Sequence, residues 1–166
     1  LNVLPVISAL PEFSLVDQNG EAFGSENLKG KVWIADFIFT RCQASCPEQT
    51  RARVAMQKGH QEEGDLRWVT FTVDPEHDTP SELSRYRRSF GADAGPWVFL
   101  TGKRADLWNL SANGFKFEVA EDAENQQMPI LHSSNFALVD REGKIRGIYD
   151  GLSEGGRDAL SSDIRK

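Results

Sequence analysis

The chain predicts a mixed α/β fold, on three observations. Strand-like apolar runs alternate with helix-start signals, one of those runs is apolar on both faces, and a strand–turn–strand pattern precedes the last helix. With 166 residues the chain is long enough for one core that buries roughly 70% of its unfolded surface. Its hydrophobic fraction of 39% is ordinary for a globular protein. No repeat, linker or composition break divides it, so residues 1–166 read as a single domain.

Each element has a local reason. Residues 13–16 and 22–23 form an N-terminal β-hairpin turned by Asp17-Gln18-Asn19-Gly20. The unbroken run Val32-Trp33-Ile34-Ala35-Asp36-Phe37-Ile38-Phe39 is a buried central strand. A helix over 46–58 follows, because Ser45 with Glu48 fits a capping box and Pro47 in the first turn gives up no needed N–H. A strand over 66–73 comes next. Thr79, Pro80 and Glu82 make a complete start for a helix over 81–90. Residues 97–100 form a strand, 104–111 a helix and 115–119 a short edge strand, whereas 120–129, rich in Glu, Asp, Asn and Gln, read as a mobile insertion. Strands over 134–139 and 144–149, joined by Asp140-Arg141-Glu142-Gly143, lead to a helix over 152–164.

The chemistry concentrates in Thr40-Arg41-Cys42-Gln43-Ala44-Ser45-Cys46-Pro47, which holds both cysteines of the chain. They lie at the C-terminal end of the central strand, the edge where open α/β sheets bind ligands. The i, i+4 spacing lets the two sulfurs converge. At the first helical position Cys46 is expected to have its thiol pKa lowered by the helix N-terminus, with Cys42 in the preceding loop. As a structural disulfide the pair is a poor staple, since a loop of roughly five residues gains only about 2 kcal/mol. A redox dithiol and a two-sulfur metal site remain. Structural zinc lacks a second cysteine pair, but two thiolates and one imidazole satisfy a low-coordinate soft ion, Cu(I) above all.

Three histidines offer that imidazole. His60, in a polar stretch at a helix end, reads as solvated, and His77 reads as a solvated loop residue. His132 follows Met128-Pro129-Ile130-Leu131 and precedes a strand, beside apolar residues; taken alone it reads more often as a hydrogen-bonded structural imidazole than as a ligand.

Three motifs in order carry a resemblance: the run from Asp36 through Pro47, then Thr72-Val73-Asp74-Pro75-Glu76-His77-Asp78-Thr79-Pro80, then Leu131-His132-Ser133-Ser134 before a strand ending in Asp140-Arg141-Glu142-Gly143. Together they resemble the SCO/SenC family over nearly the whole chain. The resemblance implies a thioredoxin-like three-layer sandwich with a central mixed sheet and an N-terminal β-hairpin. It implies a copper metallochaperone that serves the binuclear copper centre of cytochrome c oxidase, with Cys42, Cys46 and His132 as ligands for Cu(I) or Cu(II). The partner it implies is the oxidase copper-site subunit or another copper or redox protein. Where many members carry proline after the first cysteine this chain has Gln43, which leaves the loop less constrained. Met128 is a further soft side chain near His132, read as a loop hydrophobe.

The alternative reading is a thioredoxin-like thiol–disulfide oxidoreductase using the Cys42/Cys46 pair. Asp36-Phe37 resembles the Asp-Phe ahead of the active cysteine in thioredoxins, so Asp36 is a candidate proton acceptor, set evenly against a structural carboxylate. A peroxiredoxin reading fails, because Thr40 stands only two positions before Cys42 and no proline precedes it at the required place. The net charge of −6 without a basic cluster argues against a nucleic-acid partner. No stretch approaches the ~20 apolar residues of a membrane helix. The chain begins at Leu1, so a signal or membrane tether is expected in a longer precursor, with the domain outside the cytoplasm, periplasmic or membrane-anchored.

Overall fold

A computed structural model describes residues 1–93, 95–126 and 129–166. Among them the strands are β1 (Ser8–Ala9), β2 (Ser14–Val16), β3 (Ala22–Gly24), β4 (Val32–Ile38), β5 (Leu66–Thr72), β6 (Trp97–Leu100), β7 (Val119–Glu121), β8 (Ile130–His132), β9 (Asn135–Val139) and β10 (Lys144–Asp150). The helices are α1 (Cys46–Gly59), α2 (Pro80–Ser89), α3 (Arg104–Asn109) and α4 (Glu154–Ile164).

Six strands form the central sheet in the order β1-β10-β9-β4-β5-β6. It is mixed: β4 runs parallel to β5, with Val32 opposite Leu66, and antiparallel to β9, with Trp33 opposite Val139. All seven residues of β4 are buried, as its apolar run predicts for a strand covered on both faces. Side chains alternate across the sheet, so Trp33 and Phe37 on β4 share one face with Phe71 on β5, whose ring stacks on Phe37 at 4.9 Å. Phe115 covers that cluster from the segment after α3. Asp36, Trp68 and Thr70 point to the opposite face, where α1 packs.

Four local expectations are corrected. Of the predicted edge strand over 115–119 only Val119 is strand, and 115–118 are irregular: α3 runs on into a π-helical turn at Leu110–Gly114, and Phe115 and Phe117 are buried around Lys116 at φ +61°. Burying two rings in the core outweighs a ladder there. The polar segment over 120–129 is not a featureless insertion, because its described ends pair as β7 and β8, with Val119 opposite His132 and Glu121 opposite Ile130. Backbone ladders need no apolar composition. The remainder of that expectation, at Gln127 and Met128, lies outside the described residues. Ser45 makes no capping bond, since its own backbone is already helical (φ −87°, ψ −18°) rather than extended. Thr79 does cap α2 through its hydroxyl and the Glu82 amide. Finally, β1 was not expected: its two residues are strand only through pairing with β10.

Candidate metal centre

Leaving β4, the chain passes through buried Phe39 into a loop clamped from below. Asp78 accepts the Thr40 amide (3.0 Å), the Thr40 hydroxyl and the Thr72 hydroxyl (2.6 Å). Burial raises the Asp78 pKa, with the Thr40 and Thr72 bonds opposing it. The Arg41 guanidinium grips Asp74 at 2.8 and 2.9 Å. The Cys42 amide then donates to the Phe39 carbonyl at 3.1 Å, a turn that brings its thiol back over the sheet edge. Four residues on, Cys46 opens α1. Both thiols are free and buried, at 4% and 0% exposure.

His132 arrives from the far side, as the last residue of β8. It is 6% exposed, and its ring stands edge-on to Phe39 (5.6 Å, 83°). Nδ1 lies 2.9 Å from the Ser133 carbonyl. A carbonyl only accepts, so Nδ1 carries the hydrogen, and the Nε2 lone pair accepts a share of the Cys46 S–H, at 2.9 Å from Sγ. The donor atoms of Cys42, Cys46 and His132 all fall within 4.8 Å of one another. Among the described residues no other group of three potential ligands converges in this way.

Electrostatics splits the two thiols. The Cys46 thiol, shared with His132 Nε2, donates to Cys42 and holds it low, at about 4, against a burial effect that raises it. Burial pushes Cys46 up, and the neighbouring Cys42 sulfur reinforces the shift. The expectation that the helix N-terminus would lower Cys46 is therefore reversed: a completely buried sulfur loses more hydration than the helix end returns. The pair keeps one proton, on Cys46, and presents one thiolate, on Cys42.

The set suits a soft ion of low coordination. Two metal–thiolate bonds of about 2.3 Å span at most ~4.6 Å, close to the spread of these donors, and among the described residues nothing supplies the closed four-ligand shell of structural zinc.

The other sequence candidates fall elsewhere. Asp36 is buried behind the helix, paired with Arg53 and accepting from Gln49 Nε2 (2.9 Å) and Thr70 Oγ1 (2.6 Å). His77 is exposed. His60, expected in solvent, is buried between Glu63 and Ser161, where it joins the end of α1 to α4. Polar neighbours in sequence concealed a tertiary contact. Met128 lies outside the described residues. Sequence reasoning missed Asp78, Gln49 and Arg53; the i, i+3, i+7 spacing of Cys46, Gln49 and Arg53 on one helix face was the available signal.

This geometry has close parallels. The SCO1/SenC family profile matches residues 7–166. A candidate copper-binding protein of Stutzerimonas stutzeri is 36% identical over 148 residues, 87% of this chain and 71% of that protein. The crystal structure of a SCO1/SenC family lipoprotein from Bacillus anthracis superposes with a TM-score of 0.87 at 35% identity, covering 95% of this chain and 94% of that one. BsSco, described as having a disulfide switch and as a member of the Sco family of cytochrome c oxidase assembly proteins, superposes with a TM-score of 0.86 at 31% identity over 98% of this chain and 95% of its own. With the profile spanning residues 7–166 and the whole fold superposing on Sco structures, the chain belongs to the SCO1/SenC family.

Proposed function

We propose that the chain is a copper metallochaperone that carries the ion on Cys42 Sγ, Cys46 Sγ and His132 Nε2 and passes it to the binuclear copper centre of cytochrome c oxidase, outside the cytoplasm. The observation that carries this reading is the convergence of two thiols and one imidazole lone pair within 4.8 Å. The candidate copper-binding protein from Stutzerimonas and the oxidase-assembly description of BsSco support the cargo and the recipient.

The residues divide the work. Cys42, already a thiolate, makes the first contact with the cargo. Cys46 gives up its proton as the second sulfur engages. His132 needs no deprotonation, because the Ser133 carbonyl holds its one hydrogen on Nδ1. Oxidation of the two sulfurs to a disulfide removes both anionic donors together, so release and oxidation are coupled.

Copper titration of three proteins tests the reading. Reduced wild type is expected to take one ion per chain, and the disulfide form far less. His132→Ala is expected to keep thiol–disulfide reactivity and weakened Cu(I) binding while losing stable Cu(II) binding, because Cu(II) prefers nitrogen donors beyond the two sulfurs. Equal copper binding by both redox forms, or identical thiolate-to-Cu(II) charge-transfer spectra for wild type and His132→Ala, refutes it.

A further inference from the structure

Beneath α1, on the side away from the solvent, lies a buried ion pair for which the copper chemistry so far has no use. Arg53 and Asp36 are both at or near zero exposure. The guanidinium sits over the rings of Trp97, Trp68 and Phe136, at 5.0, 5.2 and 5.3 Å. It also donates to the carbonyls of Ile34 (2.7 Å) and Val69 (3.2 Å). Gln49, one turn after Cys46, bridges the Asp36 carboxylate and the Phe37 carbonyl. Trp97 Nε1 fixes Thr70, which in turn donates to Asp36. Every strand of this network ends on the first two turns of the helix that begins with Cys46.

Such a pair is costly compared with apolar side chains of the same volume, so stability alone is a weak reason for it. Its position is informative. Arg53 is seven residues from Cys46, about 10 Å along the axis at 1.5 Å per residue. Aromatic rings wall the guanidinium, and the Asp36 charge is felt at Cys46.

We propose that Asp36 and Arg53 are positioning residues for the metal centre that act through charge: by cancelling one another beneath α1 they keep the centre from favouring either copper oxidation state. The proposal rests on the copper reading above. Two thiolates and a neutral imidazole leave Cu(I) with a net charge of minus one and Cu(II) with none. An uncancelled guanidinium beneath them stabilises the Cu(I) form, and an uncancelled carboxylate stabilises Cu(II). A unit charge over about 10 Å at an effective dielectric of ~20 changes the ratio of the two forms about tenfold.

Asp36→Asn is the decisive variant, because it keeps the shape and strands a guanidinium that holds its proton. One electron from an electrode reduces Cu(II) to Cu(I) with no protein bond made or broken. The potential of the loaded variant is expected to rise by about 59 mV, tenfold for one electron. The double variant Asp36→Asn/Arg53→Met removes both charges and is expected to return to the wild-type value. A purely structural role instead predicts that the double variant shifts at least as far as the single. Should Asp36→Asn not fold, Arg53→Met at alkaline pH carries the test with a downward shift of the same order.

A metal-free arm keeps the two readings apart. The Cys42 thiolate and Cys46 thiol become a disulfide, the Cys46 proton passes to solvent, and the two electrons, with two protons taken from solvent, reduce oxidised dithiothreitol to its dithiol. The reduced pair bears the negative charge, so Asp36→Asn is expected to raise this potential also, by about 30 mV for a tenfold change. If wild type takes no copper, the copper reading fails, and the dithiol arm still decides the role of the pair. No shift in the single variant in either arm, or equal shifts in single and double, overturns the proposal.

Discussion

Copper affinity should climb about tenfold for each pH unit, and only tenfold, between about pH 7 and about pH 9.5. The slope follows from the split between the two thiols. Cys42 is held near 4 by the proton its neighbour donates, so above neutrality it has nothing left to release. Cys46 is pushed far up by burial and is protonated throughout the range. His132 Nε2 already shows a lone pair. Binding therefore expels one proton, and the apparent binding free energy gains about 1.4 kcal/mol per pH unit. The sign is that of any acid competing with a metal: alkali removes the competitor, so affinity rises with pH. The perturbation is pH alone. The assay is competition against a Cu(I) chelator that does not titrate in the window, with calorimetry in two buffers of different ionisation heat to count protons. A hundredfold rise per unit, with two protons released, would mean that neither thiol is ionised beforehand. A flat profile would mean that both are. Either result refutes the one-proton pair.

Asp78→Asn tests the clamp under Cys42. Because burial raises the Asp78 pKa above its unfolded value, the wild-type carboxyl contributes most to stability below the ordinary carboxylate pKa of about 3.9 and loses that contribution as pH rises through its folded value. Denaturant unfolding of the two proteins should therefore show wild type gaining on the variant as pH falls from 7 to 4; a gap that widens in the other direction contradicts the assignment. His60→Leu should cost about 1–3 kcal/mol by leaving Ser161 and Glu63 without their partner at the α1–α4 contact, with copper affinity unchanged, measured by urea unfolding and by titration.

The elements that sequence patterns reveal here are those whose reason is local. β4 is apolar along its whole length, α2 carries its own cap, and the thiols are four residues apart, so strand, helix and sulfur pair could each be read without the rest of the chain. What escaped is tertiary. β1 and the β7–β8 hairpin are strands by virtue of a partner, and composition alone reads the intervening 120–129 as an insertion. His60 is buried by a helix 101 positions away. Arg53 looks like any charged helical residue until three aromatic rings from three different strands close over it. The Cys46 thiol was misjudged for the same reason: the helix end is visible in sequence and the depth of burial is not.

The donors also differ in when they come together. The sulfurs are neighbours in any conformation, folded or not, while the imidazole stands 86 positions from Cys46 and reaches it only when β8 docks. An unfolded chain can thus hold a thiophilic ion by its sulfurs alone. Ligand binding stabilises a fold only by the excess of native over unfolded affinity. The rise in melting temperature on copper loading consequently measures the share owed to His132, and a very tight complex can accompany a small thermal shift. On the copper reading proposed above, the sulfurs emerge first during synthesis, so capture can precede folding, and docking of β8 then adds the imidazole to an ion already held.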